Sequence, residues 1–126
     1  MKLLRYGEKG KEKPGALDKK NKIRDLSSII KDFDPENINF DVLKKIKEVD
    51  LEKMPEISRS TRIGSCINRP GKFIGIGLNF SDHATEIGAQ IPKEPIVFMK
   101  ATSCISGPND NIVIPENSKK CDWEVE

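Results

Sequence analysis

The sequence predicts an α+β protein, with a small N-terminal α/β region followed by a mostly β part. Two observations support this prediction. Apolar residues recur at helical spacing between residues 25 and 49, whereas short β-rich runs separated by Gly, Pro and Asn follow Gly71. Between residues 57 and 70 the composition turns to Ser, Arg, Gly and Pro without a period, which is typical of a linker or an irregular crossing segment. We therefore predict an N-terminal region, residues 1–70, and a second domain that begins in residues 71–126.

The N-terminal region is predicted to contain three short strands. Residues 2–6 form the first strand, and residues 16–17 and 23–24 flank a charged turn in the manner of a hairpin. Two helices follow. The first is capped by Asp25 and ends before Asp34-Pro35, and the second spans residues 41–49 and begins near Asn39.

The C-terminal region is predicted to contain strands at residues 73–78, 96–99 and 112–114. A brief helix between the first two strands runs through Ile87. Ser81 or Asp82 can cap its beginning, and Gly88 is suited to the left-handed residue at its end.

Composition excludes several classes of protein. The 22 basic and 20 acidic residues are interspersed, so we expect no nucleic-acid partner. No apolar run approaches the roughly 20 residues of a membrane span, and residues 1–6 lack the apolar segment of a signal peptide. We expect a cytoplasmic protein. The three cysteines form no Cys-x-x-Cys pair, which indicates reduced structural thiols, although a nucleophilic cysteine stays open.

His83 and Glu86 are the candidate catalytic residues. Three positions apart on a short helix, they lie on one face, where the carboxylate can hold the imidazole in one tautomer and raise its basicity. The pair would act as a general base. The alternative is a solvent-facing histidine with an incidental acidic neighbour. Gly75, Gly77 and Asn79 lie just before the helix. Glycines at the end of a strand are typical of a position where a ligand or another part of the chain comes close to the backbone.

Glu124 and Glu126 are the candidate metal ligands. Side chains two apart on a strand share a face, so both carboxylates can meet one hard cation such as Mg²⁺. On a regular strand Asp122 lies on the same face as these two residues. It could bind the cation directly, or it could hydrogen-bond to a residue that binds the cation. The alternative is that both glutamates lie on the solvent-exposed face of an edge strand and bind no metal. Lys100 ends a predicted strand and could bind an anionic substrate, or it could be an ordinary exposed lysine.

Several separated segments resemble the fumarylacetoacetate hydrolase family in order and spacing. They are Gly75-Ile-Gly-Leu-Asn-Phe-Ser-Asp-His-Ala-Thr-Glu86, residues 91–103, Gly107-Pro-Asn-Asp110 and Asp122-Trp-Glu-Val-Glu126. The opening of the chain is similar to one subgroup of that family. This subgroup includes ureidoglycolate lyases and enzymes that act on 2,4-diketo-3-deoxy sugar acids.

The resemblance implies a mixed β-roll fold, a homodimer, and a Mg²⁺ or Mn²⁺ ion. Glu124 and Glu126 match the family's two metal-binding glutamates, while the aspartate that completes the set would lie beyond Glu126. His83 and Glu86 match a dyad on a mobile lid helix. Phe80 departs from the tyrosine that many members carry. Family members run on well past this length, so the chain is expected to be an N-terminal portion with a truncated roll.

The resemblance also implies the chemistry. The leading prediction is ureidoglycolate lyase, which converts ureidoglycolate to glyoxylate and urea. The alternative is hydrolysis of a carbon–carbon bond in a 2,4-diketo acid, and both reactions use a small carboxylic acid substrate. A second alternative is a non-catalytic partner of an intact homologue. For the isolated chain we predict weak Mg²⁺ binding and no turnover.

Overall fold

The computed structural model describes residues 1–122 and divides into two compact units. The first unit contains Met1–Gly71 and Ile105–Asn111, and the second contains Lys72–Cys104 and the chain from Ile112 onward. The described elements are two antiparallel sheets, two short α-helices and two 3₁₀ helices, Leu51–Lys53 and Thr102–Cys104, which agrees with the predicted α+β class. The mixed β-roll and the domain division at residue 70 stay predictions.

The first unit is built on a four-stranded antiparallel sheet. Its strands are β1 (Lys2–Tyr6), β2 (Lys13–Leu17), β3 (Ile23–Asp25) and β4 (Glu56–Ile57), and they are hydrogen-bonded in that order. Leu3 pairs with Ala16 across β1 and β2. The first predicted strand and the predicted hairpin are confirmed.

Asp18 holds the turn of the hairpin between β2 and β3. Its Oδ1 accepts hydrogen bonds from the backbone N–H groups of Lys20 at 2.8 Å and Lys22 at 2.9 Å. Its Oδ2 accepts a hydrogen bond from Arg24 Nε at 2.9 Å. Asn21 supplies the left-handed residue of the turn with a φ of 55°, a conformation that asparagine tolerates.

One predicted helix is confirmed. Helix α1 (Phe40–Glu48) begins after Asn39, whose side-chain oxygen accepts a hydrogen bond from the backbone N–H of Val42 at 2.9 Å. Ile46 is buried, so the apolar face of α1 packs on the core as its spacing predicts.

The helix predicted after Asp25 is wrong, because the chain forms separate turns there. One turn forms after Asp25, where the N–H of Ile30 donates to the carbonyl of Leu26 at 3.0 Å. The N–H of Phe33 then donates to Asp32 Oδ1 at 2.8 Å in place of a carbonyl one turn back. A separate turn begins at Asp34, whose Oδ1 accepts the N–H groups of Glu36 and Asn37. The apolar residues recur at helical spacing because these turns bury their apolar side chains. Together with two residues from β2 and α1, their side chains form the core cluster Ala16, Leu26, Ile30, Phe33 and Ile46.

The segment that follows β4 is irregular as predicted, but it is not a free linker. Tyr6 pairs with Ile63 in an isolated β-bridge. The backbone N–H of Gly7 donates to the carbonyl of Arg62 at 2.9 Å, and that of Gly64 donates to the carbonyl of Arg5 at 2.8 Å. These hydrogen bonds fix the segment along β1 within the first unit.

The second unit contains a two-stranded antiparallel sheet of β5 (Phe73–Gly77) and β6 (Ile96–Lys100). Both strands are confirmed. The strand predicted at residues 112–114 is wrong, because these residues are irregular and exposed in the structure. A strand requires backbone hydrogen bonds to a neighbouring strand, and a run of apolar residues alone does not provide that neighbour.

Helix α2 (Ser81–Glu86) lies between the two strands, and Gly88 has the predicted left-handed backbone, with a φ of 68°. The predicted cap is wrong, since Phe80 occupies the N-cap position and makes no side-chain capping bond. Within the described part of the chain, no helix has the length and apolar character needed to cross a membrane.

Candidate functional site

The predicted catalytic pair lies on α2, which follows β5 after a sharp turn. Leu78 makes the turn with a φ of 50°, a left-handed conformation that a leucine rarely adopts. His83 is partly buried, Glu86 is exposed, and Ala84 between them is fully buried. The helix is therefore held by Ala84, while the two polar side chains remain open to solvent.

His83 and Glu86 share a helix face, but within residues 1–122 no hydrogen bond or ion pair joins their side chains. The backbone N–H of His83 donates to Asp82 Oδ1 at 2.9 Å, and its carbonyl accepts from the N–H of Ile87 at 3.2 Å. These bonds involve only the backbone of His83. The dyad stays a prediction.

A groove lies beside the beginning of α2. It has a volume of about 490 Å³ and is lined by residues 76–79, Ser81 and residues 91–95. Its polar side chains include Asn79, Ser81, Lys93 and Glu94. Sequence reasoning did not identify Lys93 and Glu94 as site residues, although they belong to a segment that carries the family resemblance.

Lys100 ends β6, and its ammonium group lies 5.4 Å from the centre of the Phe98 ring. Such a contact is a cation–π interaction, which attracts the charge to the ring face. Residues 98 and 100 lie on the same face of β6, so this local contact explains the position of Lys100 without a ligand. The anion-binding role stays a prediction.

Gly75 in β5 has a structural explanation. A Cβ atom at position 75 would lie 2.7 Å from Cε1 of Phe98, closer than real Cβ contacts allow. The close approach that the glycines predict is therefore met at Gly75 by an aromatic ring of the neighbouring strand. At Gly77 the nearest atom, Ile96 Cγ2, is 3.5 Å away, which is an ordinary contact.

The predicted metal ligands Glu124 and Glu126 lie outside the described residues. Within residues 1–122 no group of three or more His, Cys, Asp or Glu side chains could hold a metal ion. Cys66, Cys104 and Cys121 are exposed free thiols. None of the three is buried in the core, so the prediction of structural thiols is wrong in this respect, while their reduced state stays a prediction.

Part of the chain matches a known family model. Residues 72–126 match the family model described as fumarylacetoacetate (FAA) hydrolase C-terminal. The match begins at Lys72, the first residue of the second unit.

The whole chain is similar to bacterial proteins whose names begin with "Putative hydrolase". It is 53% identical over 126 residues to one from Burkholderia ambifaria and to one from Burkholderia multivorans, and 52% identical to one from Burkholderia lata. Each alignment covers 100% of this chain and 45% of the relative. The chain thus spans somewhat less than half the length of these relatives. The ureidoglycolate lyase subgroup stays a prediction.

Proposed function

We propose that this chain is part of a hydrolase that cleaves a carbon–carbon bond in a small keto acid. The observation that carries the proposal is the match of residues 72–126 to the fumarylacetoacetate hydrolase C-terminal model. This interval contains every candidate site residue: His83, Glu86, Lys100, Glu124 and Glu126. The names of the relatives favour hydrolysis over the lyase reaction.

The groove beside α2 supports a small polar substrate. Its volume of about 490 Å³ falls within the range of roughly 300–1,000 Å³ that is usual for small-molecule sites. Lys93 offers a positive charge for a substrate carboxylate, and Asn79 and Ser81 offer hydrogen-bonding groups for carbonyl oxygens. The apolar residues of the lining suit the carbon chain between these groups.

His83 supplies the proton transfer in this proposal. The imidazole removes a proton from water, and the oxygen of that water attacks the carbonyl carbon distal to the carboxylate. The bond between this carbon and the neighbouring methylene then breaks. Its electron pair moves to the methylene carbon as the enolate of the 2-keto acid, which takes up a proton. Water is consumed, and two carboxylic acids are released.

Glu86 would hold the imidazole through one of its nitrogens when the side chains of α2 rotate toward each other, because residues three apart on a helix are neighbours. The lysine at position 93 or 100 would balance the substrate carboxylate. We expect the activity to depend on a divalent metal, with Glu124 and Glu126 as the candidate ligands.

A chimera tests the proposal. In it, this chain replaces the aligned 126 residues of the Burkholderia ambifaria relative, which supplies the remainder of a full-length protein. We expect the chimera to convert an acylpyruvate to pyruvate and a second carboxylic acid, and EDTA to abolish the activity until Mg²⁺ or Mn²⁺ is restored.

Product analysis separates the alternatives. Glyoxylate and urea from ureidoglycolate, with no pyruvate from acylpyruvates, would contradict the hydrolase and support the predicted lyase. If neither substrate is converted by the chimera while the unmodified relative is active, the chain is better described as a non-catalytic partner. Sedimentation of the chimera tests the predicted homodimer.

A further inference from the structure

A second groove, here called the basic groove, lies in the first unit between the start of β1, the turn of the β2–β3 hairpin and the end of α1. It has a volume of about 410 Å³, and its apolar lining is Met1, Leu17, Ile46, Val49 and Leu51. Ile46 is buried, and Leu51 packs against the same core cluster, so the floor of the groove is continuous with the core. A volume of roughly 300–1,000 Å³ with a largely apolar lining is usual for a small-molecule site.

Three lysines surround this apolar lining, and each comes from a different element. Lys2 begins β1, Lys19 lies in the hairpin turn, and Lys47 lies in the last turn of α1. All three are exposed, and within residues 1–122 none of their ammonium groups forms an ion pair with a carboxylate. Positive charges that converge on one groove from separate elements favour a negatively charged ligand.

Among the lining residues that the structure describes, the one carboxylate is Asp18, and it already has partners. Its side chain is 1% exposed, and Arg24 Nη2 lies 2.8 Å from Oδ2. Its Oδ1 accepts the two backbone N–H groups of the hairpin turn. The negative charge of Asp18 is therefore compensated within the protein. Asn21, the remaining polar residue of the lining, offers an amide that can donate to a carboxylate oxygen.

The end of α1 acts in the opposite direction. The last carbonyl groups of a helix carry partial negative charge, which repels an anion. Lys45 and Lys47 are the basic residues of this turn and offset that charge. A preference of the groove for anions must therefore come from the lysines, and substitution of the lysines can test it.

We propose that the basic groove binds a small monocarboxylate with an apolar body. The apolar body would lie on the apolar lining, and the carboxylate would face the three lysines. A neutral apolar molecule would leave the lysine charges unused, and a small inorganic anion would leave the apolar lining in contact with water. The groove belongs to the first unit, so the proposal does not depend on the proposed hydrolase.

Titration of the full chain with sodium octanoate, followed through amide chemical shifts, tests the site. We expect saturable shifts at residues 17–21 and 46–51, with a Kd on the order of 1 mM for a ligand of this size. Butanoate should bind more weakly, by about two- to fourfold for each methylene removed. Equal affinities for the two acids would overturn the apolar part of the proposal. The absence of saturable shifts, or shifts confined to residues 73–99 where the second unit exposes apolar side chains, would overturn the site.

Substitution of the lysines tests the charge. We expect the triple variant Lys2→Gln, Lys19→Gln and Lys47→Gln to bind octanoate about fivefold more weakly, because each exposed charge contributes modestly to binding. Binding of 1-octanol, which has the same apolar body without the negative charge, should be unchanged. An equal loss for octanoate and 1-octanol would overturn the role of the lysines.

The matched control is the triple variant Lys9→Gln, Lys31→Gln and Lys44→Gln, which removes the same net charge at exposed positions outside the groove. It should leave the octanoate affinity unchanged. Equal losses in the two triple variants would show that net charge attracts the probe, and would overturn the proposal. If the first triple variant does not fold, Lys47→Gln alone decides, with Lys44→Gln on the same helix as its control.

A second copy of the chain is the competing occupant of the groove. Amide shifts at residues 17–21 and 46–51 that change when the chain is diluted without octanoate would identify such a contact. That result would overturn the proposal, whereas shifts that are independent of chain concentration support it.

Discussion

The ring of Phe98 occupies the space in which a side chain at position 75 would lie. We expect Gly75→Ala to destabilise the second unit by about 1–3 kcal/mol, because the added methyl forces the ring or the strand to move. Chemical denaturation followed through amide signals of β5 and β6 measures this change.

The control is Gly77→Ala in the same strand, where the added carbon meets Ile96 at an ordinary distance. If both substitutions have the same effect, the cost arises from the strand backbone and not from Phe98. Gly75→Ala combined with Phe98→Ala should recover part of the loss if the ring is responsible.

Tyr6 is the chain's only tyrosine and is buried at the end of β1, an edge strand of the first unit's sheet. Burial, followed by a hydrogen bond to Asp25 and the negative charge of that carboxylate, raises the pKa of Tyr6 to about 12. A raised pKa stabilises the fold below the unfolded-state value of about 10, and that contribution is lost as pH rises toward 12.

Ultraviolet titration reads the phenolate of Tyr6 without interference from another tyrosine. We expect ionisation near pH 12 in the folded chain, and near pH 10 in denaturant. Ionisation near pH 10 while circular dichroism still shows native structure would contradict the burial of this hydroxyl.

At the scale of elements, the Asn39 cap is the clearest local determinant of where a helix begins. Asn39→Ala removes the acceptor for the Val42 backbone N–H and should destabilise the first unit by about 1 kcal/mol. Asn39→Ser keeps an oxygen at this position and should change stability little. Urea denaturation monitored by the Tyr6 ring resonance reports the first unit, and equal midpoints for the Ala and Ser variants would show that the cap contributes nothing.

The comparison of α1 with the turns after Asp25 shows what sequence pattern can predict. Both segments have apolar residues at helical spacing, and both bury them. They differ in the partners of their backbone N–H groups. The helix continues after its Asn39 cap, whereas the N–H of Phe33 donates to the side chain of Asp32. Asp34 then begins a separate turn by accepting the N–H groups of Glu36 and Asn37. Periodicity reports burial, and it does not report which side chain takes the backbone hydrogen bonds.

Ion pairs between distant residues show the same limit. Short motifs identify His83 and Glu86, because their spacing is local. The ion-pair partners of Arg62, which are Asp110 and Glu12, are separated from it by 48 and 50 residues, so no local pattern predicts them. Only the hairpin, the crossing segment and the turn at Gly107 together bring these charges into contact.

At the scale of the whole molecule, we expect low pH to destabilise the first unit. Six carboxyl groups there have lowered pKa values, namely Glu12, Asp18, Asp25, Asp34, Glu56 and Asp110. Hydrogen bonds from Arg62 and the Gly107 N–H lower the pKa of Asp110 to about 2. For Glu12, burial opposes the change, but bonds from Arg62 and backbone N–H groups and the charge of Arg5 outweigh it.

A lowered folded-state pKa contributes stability above the unfolded-state value, near pH 4, and the contribution is lost as pH falls through the folded value. We therefore expect the unfolding free energy of the first unit to fall between about pH 4 and pH 2. Hydrogen exchange of β1 and β2 amides measures it. Exchange stability that is unchanged over this interval would contradict the role of these carboxylates.

The proposed role of His83 as the general base of a hydrolase is tested by the turnover of the chimera that carries His83→Asn. We expect acylpyruvate hydrolysis to fall by about 10²–10⁴-fold in kcat, the usual contribution of a general base, with the exposed control Gln90→Ala unchanged. A kcat for His83→Asn within about threefold of the parent chimera would contradict the claim, because the reaction would then proceed without this imidazole.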